Sequence, residues 1–154
     1  MLLSAKDATH YRSLAMRVAY LAQDRTDLQF AVKERARGMS KPTRDDQLKL
    51  KCIGRYLKGR PRAVIVFNKQ QLVSYVDVFG DSDWAGCIKT RKSTNGGVLM
   101  IGSHCIKSWS LTQSTIAMSS GEAEYYAVVK AASVLLGVNS CERPWSCSEG
   151  PGPN

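Results

Sequence analysis

Apolar positions recur at helical spacing three times in the first sixty residues, then give way to short β-branched runs. Leu14, Val18, Leu21 and Ala22, with Ala15 and Met16 alongside, predict a helix over 11–23. Thr26-Asp27 predicts the cap of a second helix over about 27–38, with Leu28, Ala31 and Val32 on one face and Gly38 at its end. Lys41-Pro42-Thr43 breaks the pattern, and Thr43 caps a third helix over 44–58. That helix carries Leu48, Leu50, Cys52, Ile53, Tyr56 and Leu57.

The period then changes. Residues 63–67 are short and β-branched and predict a strand, with 68–71 as the connecting turn. A second strand is predicted over 72–79, a third over 97–101 and a fourth over 104–110, with Gly102-Ser103 as a turn. Residues 72–110 thus form a three-stranded antiparallel meander, with 63–67 beside it. Residues 120–136 are the strongest helix in the chain. From Gly137 onward periodicity is lost, and the breakers Pro144, Gly150, Pro151, Gly152 and Pro153 crowd the end. The fold class is α/β, more strictly α+β. Its parts are a basic helical segment over 1–61, a sheet with one packed helix over 62–138, and a disordered tail over 139–154.

Charge sharpens this division. The net charge of the 154 residues is +9. Residues 1–71 hold sixteen Lys and Arg against six Asp and Glu; residues 72–154 hold six against seven. A basic half joined to a near-neutral half with clustered acids suits a polyanion held by one part and cut by the other. A solvated basic surface has the same composition. Lys51, Arg55 and Lys58 on the third helix, and Arg91 and Lys92 in the loop before the third strand, are the candidate phosphate contacts. Five cysteines without a C-x-x-C pair form neither a disulfide framework nor a zinc site. There is no apolar signal core and no long uncharged apolar run. The expected setting is therefore intracellular, cytoplasmic or nuclear, with no membrane and no secretion.

The chemistry gathers at Gly80-Asp81-Ser82-Asp83-Trp84-Ala85-Gly86, where a strand ends in carboxylates. Asp81 and Asp83 share a face if the strand continues. Hard carboxylate ligands with open water positions suit Mg2+ or Mn2+. Alone, a D-x-D pair also describes a surface turn. Ser119-Ser120-Gly121-Glu122 fits a capping box, which gives Glu122 a structural task and leaves Glu124 without one. Counting from Glu124, Ala127, Val128, Ala131, Val134 and Leu135 make a sheet-facing stripe with Glu124 at its upper end. A partly exposed Glu at a frayed first turn is the alternative. Tyr75-Val76-Asp77-Val78 lacks the second Asp of a polymerase palm, His10 and His104 are isolated, and no phosphate-binding glycine loop is present. No small-molecule cofactor is expected.

The order of motifs carries a resemblance. Tyr11-Arg12-Ser13-Leu14, Tyr20-Leu21-Ala22, Arg25-Thr26-Asp27-Leu28 and Arg55-Tyr56-Leu57-Lys58-Gly59 precede Asp81-Ser82-Asp83-Trp84-Ala85-Gly86-Cys87. Thr90-Arg91-Lys92-Ser93-Thr94 and Ser119-Ser120-Gly121-Glu122-Ala123-Glu124-Tyr125 follow. Over roughly residues 10–140 this series resembles copia-type retrotransposon Pol polyproteins, where the end of the reverse transcriptase runs into the RNase H domain. The resemblance implies connection-like helices over 1–61 and a partial RNase H-like mixed sheet with one packed helix over 62–138. It implies hydrolysis of RNA in RNA–DNA hybrids with two Mg2+ ions. Asp81 and Glu124 match the family's catalytic, metal-binding carboxylates, with Asp83 in support. The family's next strand brings another Asp, and a last acidic position follows later. Neither has a counterpart after Val138-Asn139-Ser140. The resemblance therefore implies a C-terminally truncated fragment with two of about four ligands and weak or absent catalysis. A non-catalytic nucleic-acid-binding module and a relic without function are the other expectations.

Overall fold

The computed structural model describes residues 1–141. Helix α1 spans Ala5–Leu21 and starts six residues before the apolar pattern does. Its start is set by local chemistry. Ser4 Oγ accepts the Asp7 N–H at 3.2 Å and donates to the Asp7 carboxylate at 2.7 Å. Helix α3 spans Arg44–Gly59 behind the predicted Thr43 cap. The Thr43 N–H donates to Asp46 at 2.9 Å and the Asp46 N–H to Thr43 Oγ1 at 3.3 Å, a complete capping box.

The second helix departs from expectation. A 3-10 turn, Thr26–Leu28, leads into α2 at Gln29–Ala36, and neither Thr26 nor Asp27 caps it. Asp27 is occupied elsewhere. The Arg25 guanidinium donates to both its oxygens at 2.9 and 2.7 Å, and the Tyr56 hydroxyl donates at 2.8 Å. A two-pronged charge-assisted pair outweighs a capping bond. Tyr11, Ala15, Ala22, Leu28, Val32, Leu50 and Ile53 form the core of these three helices.

Hydrogen bonding from Arg25, then Tyr56, lowers the Asp27 carboxyl to about 2 against burial, which opposes it. A carboxyl depressed on folding stabilises above its unfolded pKa, near 3.8, and loses that contribution as pH falls towards 2. The Asp27 side chain is 32% exposed, so solvent screening reduces the effect to about 1 kcal/mol. The unfolding free energy from urea titration should therefore fall between pH 4.5 and pH 2 by about 1 kcal/mol more in the native chain than in Asp27→Asn.

The sheet has three antiparallel strands in the order β1-β2-β3: Asp77–Ser82, Thr94–Ile101 and His104–Thr112. The predicted meander is present, with all described pairings antiparallel. Two strand predictions are corrected. Residues 63–67 pair with no strand among the described residues, and Val64, Ile65, Val66 and Phe67 are all exposed. β-branched composition marks a chain that fits a sheet but supplies no partner. Residues 72–76 also stay outside β1. Asp77 pairs with Met100, one residue before β2 ends, so the preceding residues run past their partner. The β2–β3 turn needs Gly102 at φ +59°. The Gln70 side chain braces it, donating to the Ile101 carbonyl at 2.9 Å and accepting from the Ser103 N–H at 3.0 Å.

Helix α4, Ser120–Cys141, covers one face of the sheet. It continues through 137–141, so the disorder expected from 139 is corrected there; 142–154 lie outside the described residues. Leu99, Trp109 and Ala131 form the core between sheet and helix, with Val76, Val78, Ile101, Val134 and Val138 around it. The other face meets α2. Gln29 donates to the Ser108 carbonyl at 3.2 Å, Lys33 to Thr94 Oγ1 at 2.7 Å and Arg37 to Thr112 Oγ1 at 3.2 Å. Among the described residues, no helix is long and apolar enough to cross a membrane.

Candidate functional site

The end of β1 and the start of α4 meet. A Cβ built on Gly80 would lie 3.1 Å from both the Ala127 carbonyl oxygen and the Ala131 Cβ. One turn earlier, the Ala123 carbonyl is tied through Gln113 to Asn95, and Asn95 is the cross-strand partner of Ser82. The helix therefore runs antiparallel to β1, and Asp81 and Glu124 lie at the same end of the sheet.

Each carboxylate is exposed and engaged in no hydrogen bond or ion pair among the described residues. Asp81 pairs with Gly96, where the space above the backbone is open. Strand alternation gives Gly80 to α4 and turns Asp81 to the opposite face. The buried stripe of α4 is Ala123, Ala127 and Ala131, continued by Val134 and Val138. This corrects the stripe counted from Glu124. The true stripe begins one residue earlier, Val128 is exposed, and Glu124 sits beside the seam. Methyl groups at 123, 127 and 131 let the helix lie against Gly80, a contact that bulkier residues on the other register would prevent.

The other two carboxylates have structural work. Ser119 Oγ accepts the Glu122 N–H at 3.2 Å, as the capping pattern predicts. The Glu122 carboxylate accepts the Met118 N–H at 2.7 Å and the Tyr126 hydroxyl at 3.1 Å. Asp83 Oδ1 accepts the Thr94 N–H at 2.5 Å, while the Asp83 N–H donates to the Thr94 carbonyl at 3.2 Å. Asp83 thus closes the mouth of the loop that joins β1 to β2. The same carboxylate lies where a Cβ on Gly86 would be, so Gly86 makes room for it. Inside the loop, Ala85 and Arg91 have positive φ, 52° and 55°. The Ala85 N–H donates to the fully buried Ser93 hydroxyl at 3.0 Å. Trp84 Nε1 donates to the Ala117 carbonyl at 3.3 Å and pins the loop to the chain leading into α4.

Asp81 and Glu124 share one end of the sheet, but the Asp81 side chain is on the face away from α4, so the two are not brought onto one ion here. Among the described residues no group of three or more His, Cys, Asp or Glu could hold a metal ion.

The basic residues fall into two groups. Lys51, Arg55 and Lys58 line a groove of about 490 Å3 between α1 and α3, floored by Tyr11, Leu14, Val18 and Leu50. Arg91 is exposed in the β1–β2 loop, and Lys92 Nζ donates to the Ser114 carbonyl at 2.5 Å. Sequence reasoning missed Lys33 and Arg37, which α2 brings onto the Asp81 face of the sheet. The Cys87 thiol lies at about 7, lowered mainly by hydrogen bonding to Thr90, with a smaller contribution from the Arg37 charge. Arg37 is thus close to the β1–β2 loop. A cation every fourth residue on α2 was the available signal, but nothing in it tells which face meets the sheet. Sequence reasoning also missed Gln113, whose polar surroundings show no period.

The chain is 37% identical over 142 residues to the Retrovirus-related Pol polyprotein from transposon RE2 of Arabidopsis thaliana, covering 92% of this chain and 9% of that protein. It is 36% identical over 142 residues to the corresponding polyprotein from transposon RE1 of the same plant, with the same coverage. It is 38% identical over 130 residues to the Uncharacterized mitochondrial protein AtMg00810 of Arabidopsis thaliana, covering 84% of this chain and 53% of that protein. The chain thus spans about a tenth of the two polyproteins and about half of the mitochondrial protein. No family model and no solved structure matches it.

Proposed function

This chain belongs to the retrovirus-related Pol polyproteins of copia-type transposons, and from that membership we propose that its sheet and α4 are an RNase H-like unit descended from a nuclease of RNA–DNA hybrids. The observation that carries the proposal is that Asp81 and Glu124, both exposed and unbonded among the described residues, lie at one end of the sheet. Either would be a ligand of a Mg2+ or Mn2+ ion, which supplies Lewis-acid activation of water when bound. Asp83 supports them by closing the β1–β2 loop. Lys51, Arg55 and Lys58, with Arg91 and Lys92, would meet the phosphates of the hybrid without reading its sequence. With two candidate carboxylates among the described residues, weak or absent catalysis is expected from them alone. Each ligand missing from the transition state costs several kcal/mol of stabilisation.

The test follows Mn2+ by NMR alongside hybrid cleavage. Millimolar Mn2+ should broaden the amides around Asp81 and Glu124 before any others. Asp81→Asn should shift the broadening midpoint several-fold upward. Broadening that spares these two positions removes the basis for the assignment. Rapid Mg2+-dependent cleavage of a labelled hybrid, abolished by Glu124→Gln, would show that the two carboxylates suffice and that the attenuation is wrong.

A further inference from the structure

Trp84 belongs to neither hydrophobic core, and it is 54% exposed. It is nevertheless held in place. Its Nε1 donates to the Ala117 carbonyl at 3.3 Å, and Ala117 is buried. The backbone on both sides of it is fixed as well. Asp83 is bonded across the mouth of the loop to Thr94, and the Ala85 N–H donates to the buried Ser93 hydroxyl. A large aromatic ring that adds little to the cores is thus presented to solvent on a braced loop. Ile116 and Met118, on either side of Ala117, are exposed too, as is Ile88 in the loop. The indole therefore stands in an apolar patch.

Cations share this loop. Lys89 and Arg91 are exposed, and their side chains form no hydrogen bond or ion pair among the described residues. The two arms of the loop are bonded to each other, Ala85 to Ser93 and the Cys87 N–H to the Lys92 carbonyl at 3.2 Å. The Arg91 N–H donates to the Cys87 carbonyl at 2.7 Å, which keeps Arg91 within the same compact turn. The acid of the loop, Asp83, has its carboxylate on the Thr94 N–H and neutralises neither cation. Lys33 and Arg37 on α2 differ in this respect, because both lie against Glu34, at 3.1 and 3.2 Å.

An exposed ring beside unneutralised cations suits a ligand with a flat, weakly hydrated face and negative charge next to it. A nucleotide has both: its base stacks on an aromatic ring and its phosphates meet Lys and Arg. The body of a duplex offers only the second, since its base faces are already stacked on one another and its surface is phosphate, sugar and base edges. Trp84 can therefore stack only where a base is unpaired. We propose that the β1–β2 loop is a binding site for unpaired nucleotides, with Trp84 stacking on a base and Lys89 and Arg91 meeting the neighbouring phosphates. The inference rests on the reading of this chain as one that binds an RNA–DNA hybrid, and extends it from the duplex to a single strand running out of it.

The test compares two labelled probes by fluorescence anisotropy: a blunt RNA–DNA hybrid, and the same hybrid with a short single-stranded overhang. The native chain should bind the overhang probe about tenfold more tightly than the blunt one. Trp84→Leu should bring that ratio close to one, and Trp84→Phe, which keeps a ring, should retain part of it. Tyr20→Leu, which removes an exposed aromatic ring on α1, should leave the ratio as it is in the native chain. Two further readouts do not depend on the fold of Trp84→Leu. Indole emission of the native chain should fall when the overhang probe is added, and this fall should vanish in Trp84→Phe. Arg91→Asn, which suits the positive φ at that position, should reduce the slope of log affinity against log salt by about 0.7 on the overhang probe. A native chain that binds both probes equally overturns the proposal while leaving the hybrid reading intact, as does a preference that survives in Trp84→Leu. A native chain that binds neither probe removes the hybrid reading, and the proposal falls with it.

Discussion

Gly97→Ala should destabilise the fold by about 3 kcal/mol, at the upper end of what overpacking usually costs. Gly97 sits in the middle strand, paired with Gly80 on one side and Trp109 on the other. An added Cβ would lie 2.1 and 2.5 Å from two carbons of the Trp109 indole and 2.7 Å from the Phe79 carbonyl oxygen. The indole is held between sheet and α4, and the carbonyl belongs to the β1–β2 pair, so neither yields cheaply. The urea midpoint, followed by far-UV circular dichroism, reports the loss. In a Trp109→Leu background the same substitution should cost about 1 kcal/mol less, because its principal clash is gone. Equal costs in the two backgrounds would mean that the indole is not what excludes the methyl group.

Trp109→Ala should be costlier still, about 3–5 kcal/mol. The ring is 8% exposed and packs with Leu99 and Ala131, the other buried members of that core. Its removal leaves a cavity beneath α4 that the short alanine stripe cannot fill. Domains of ordinary stability have about 5–15 kcal/mol in total, so the variant should lose cooperative unfolding at moderate temperature. Trp109→Phe separates two effects. It gives up part of the ring but also removes a buried indole N–H that has no hydrogen-bond partner among the described residues. Its cost should therefore be well under half that of Trp109→Ala. A Phe variant as unstable as the Ala variant would locate the stabilisation in the lost ring alone.

What was legible in the sequence was what is decided locally. The start of α3 follows from Thr43 and Asp46, three residues apart, and the start of α4 from Ser119 and Glu122. The β2–β3 turn follows from Gly102-Ser103. What failed depends on partners far along the chain. Residues 63–67 have strand composition but no ladder, and 72–76 overrun the end of β2. Asp27 suits a helix cap until Tyr56, 29 residues on, is brought to it beside the neighbouring Arg25.

The site divides along the same line. The capping role of Glu122 could be read from spacing. The face that α4 buries could not, because counting the stripe from 123 or from 124 gives an equally regular pattern in the sequence. Only contact with Gly80 decides between them. Gln113 was invisible for a related reason: a buried polar side chain between two elements has no periodic signature, and its value lies in two acceptors 10 and 18 residues away.

The seam between β1 and α4 has a further consequence, for how this chain can change over time. Gly80 and Gly97 are already the smallest residues there are, and Ala127 and Ala131 are one methyl from it. Nearly every substitution along the seam adds atoms where contacts already stand near 3 Å. The exception, alanine to glycine, weakens the helix by about 1 kcal/mol. A leucine core drifts through valine, isoleucine and methionine in small reversible steps. This seam has no such neighbours in sequence space: it acts as a ratchet, and a lineage freed from selection would lose the docking of α4 on β1 abruptly, while Asp81 and Glu124 were still encoded.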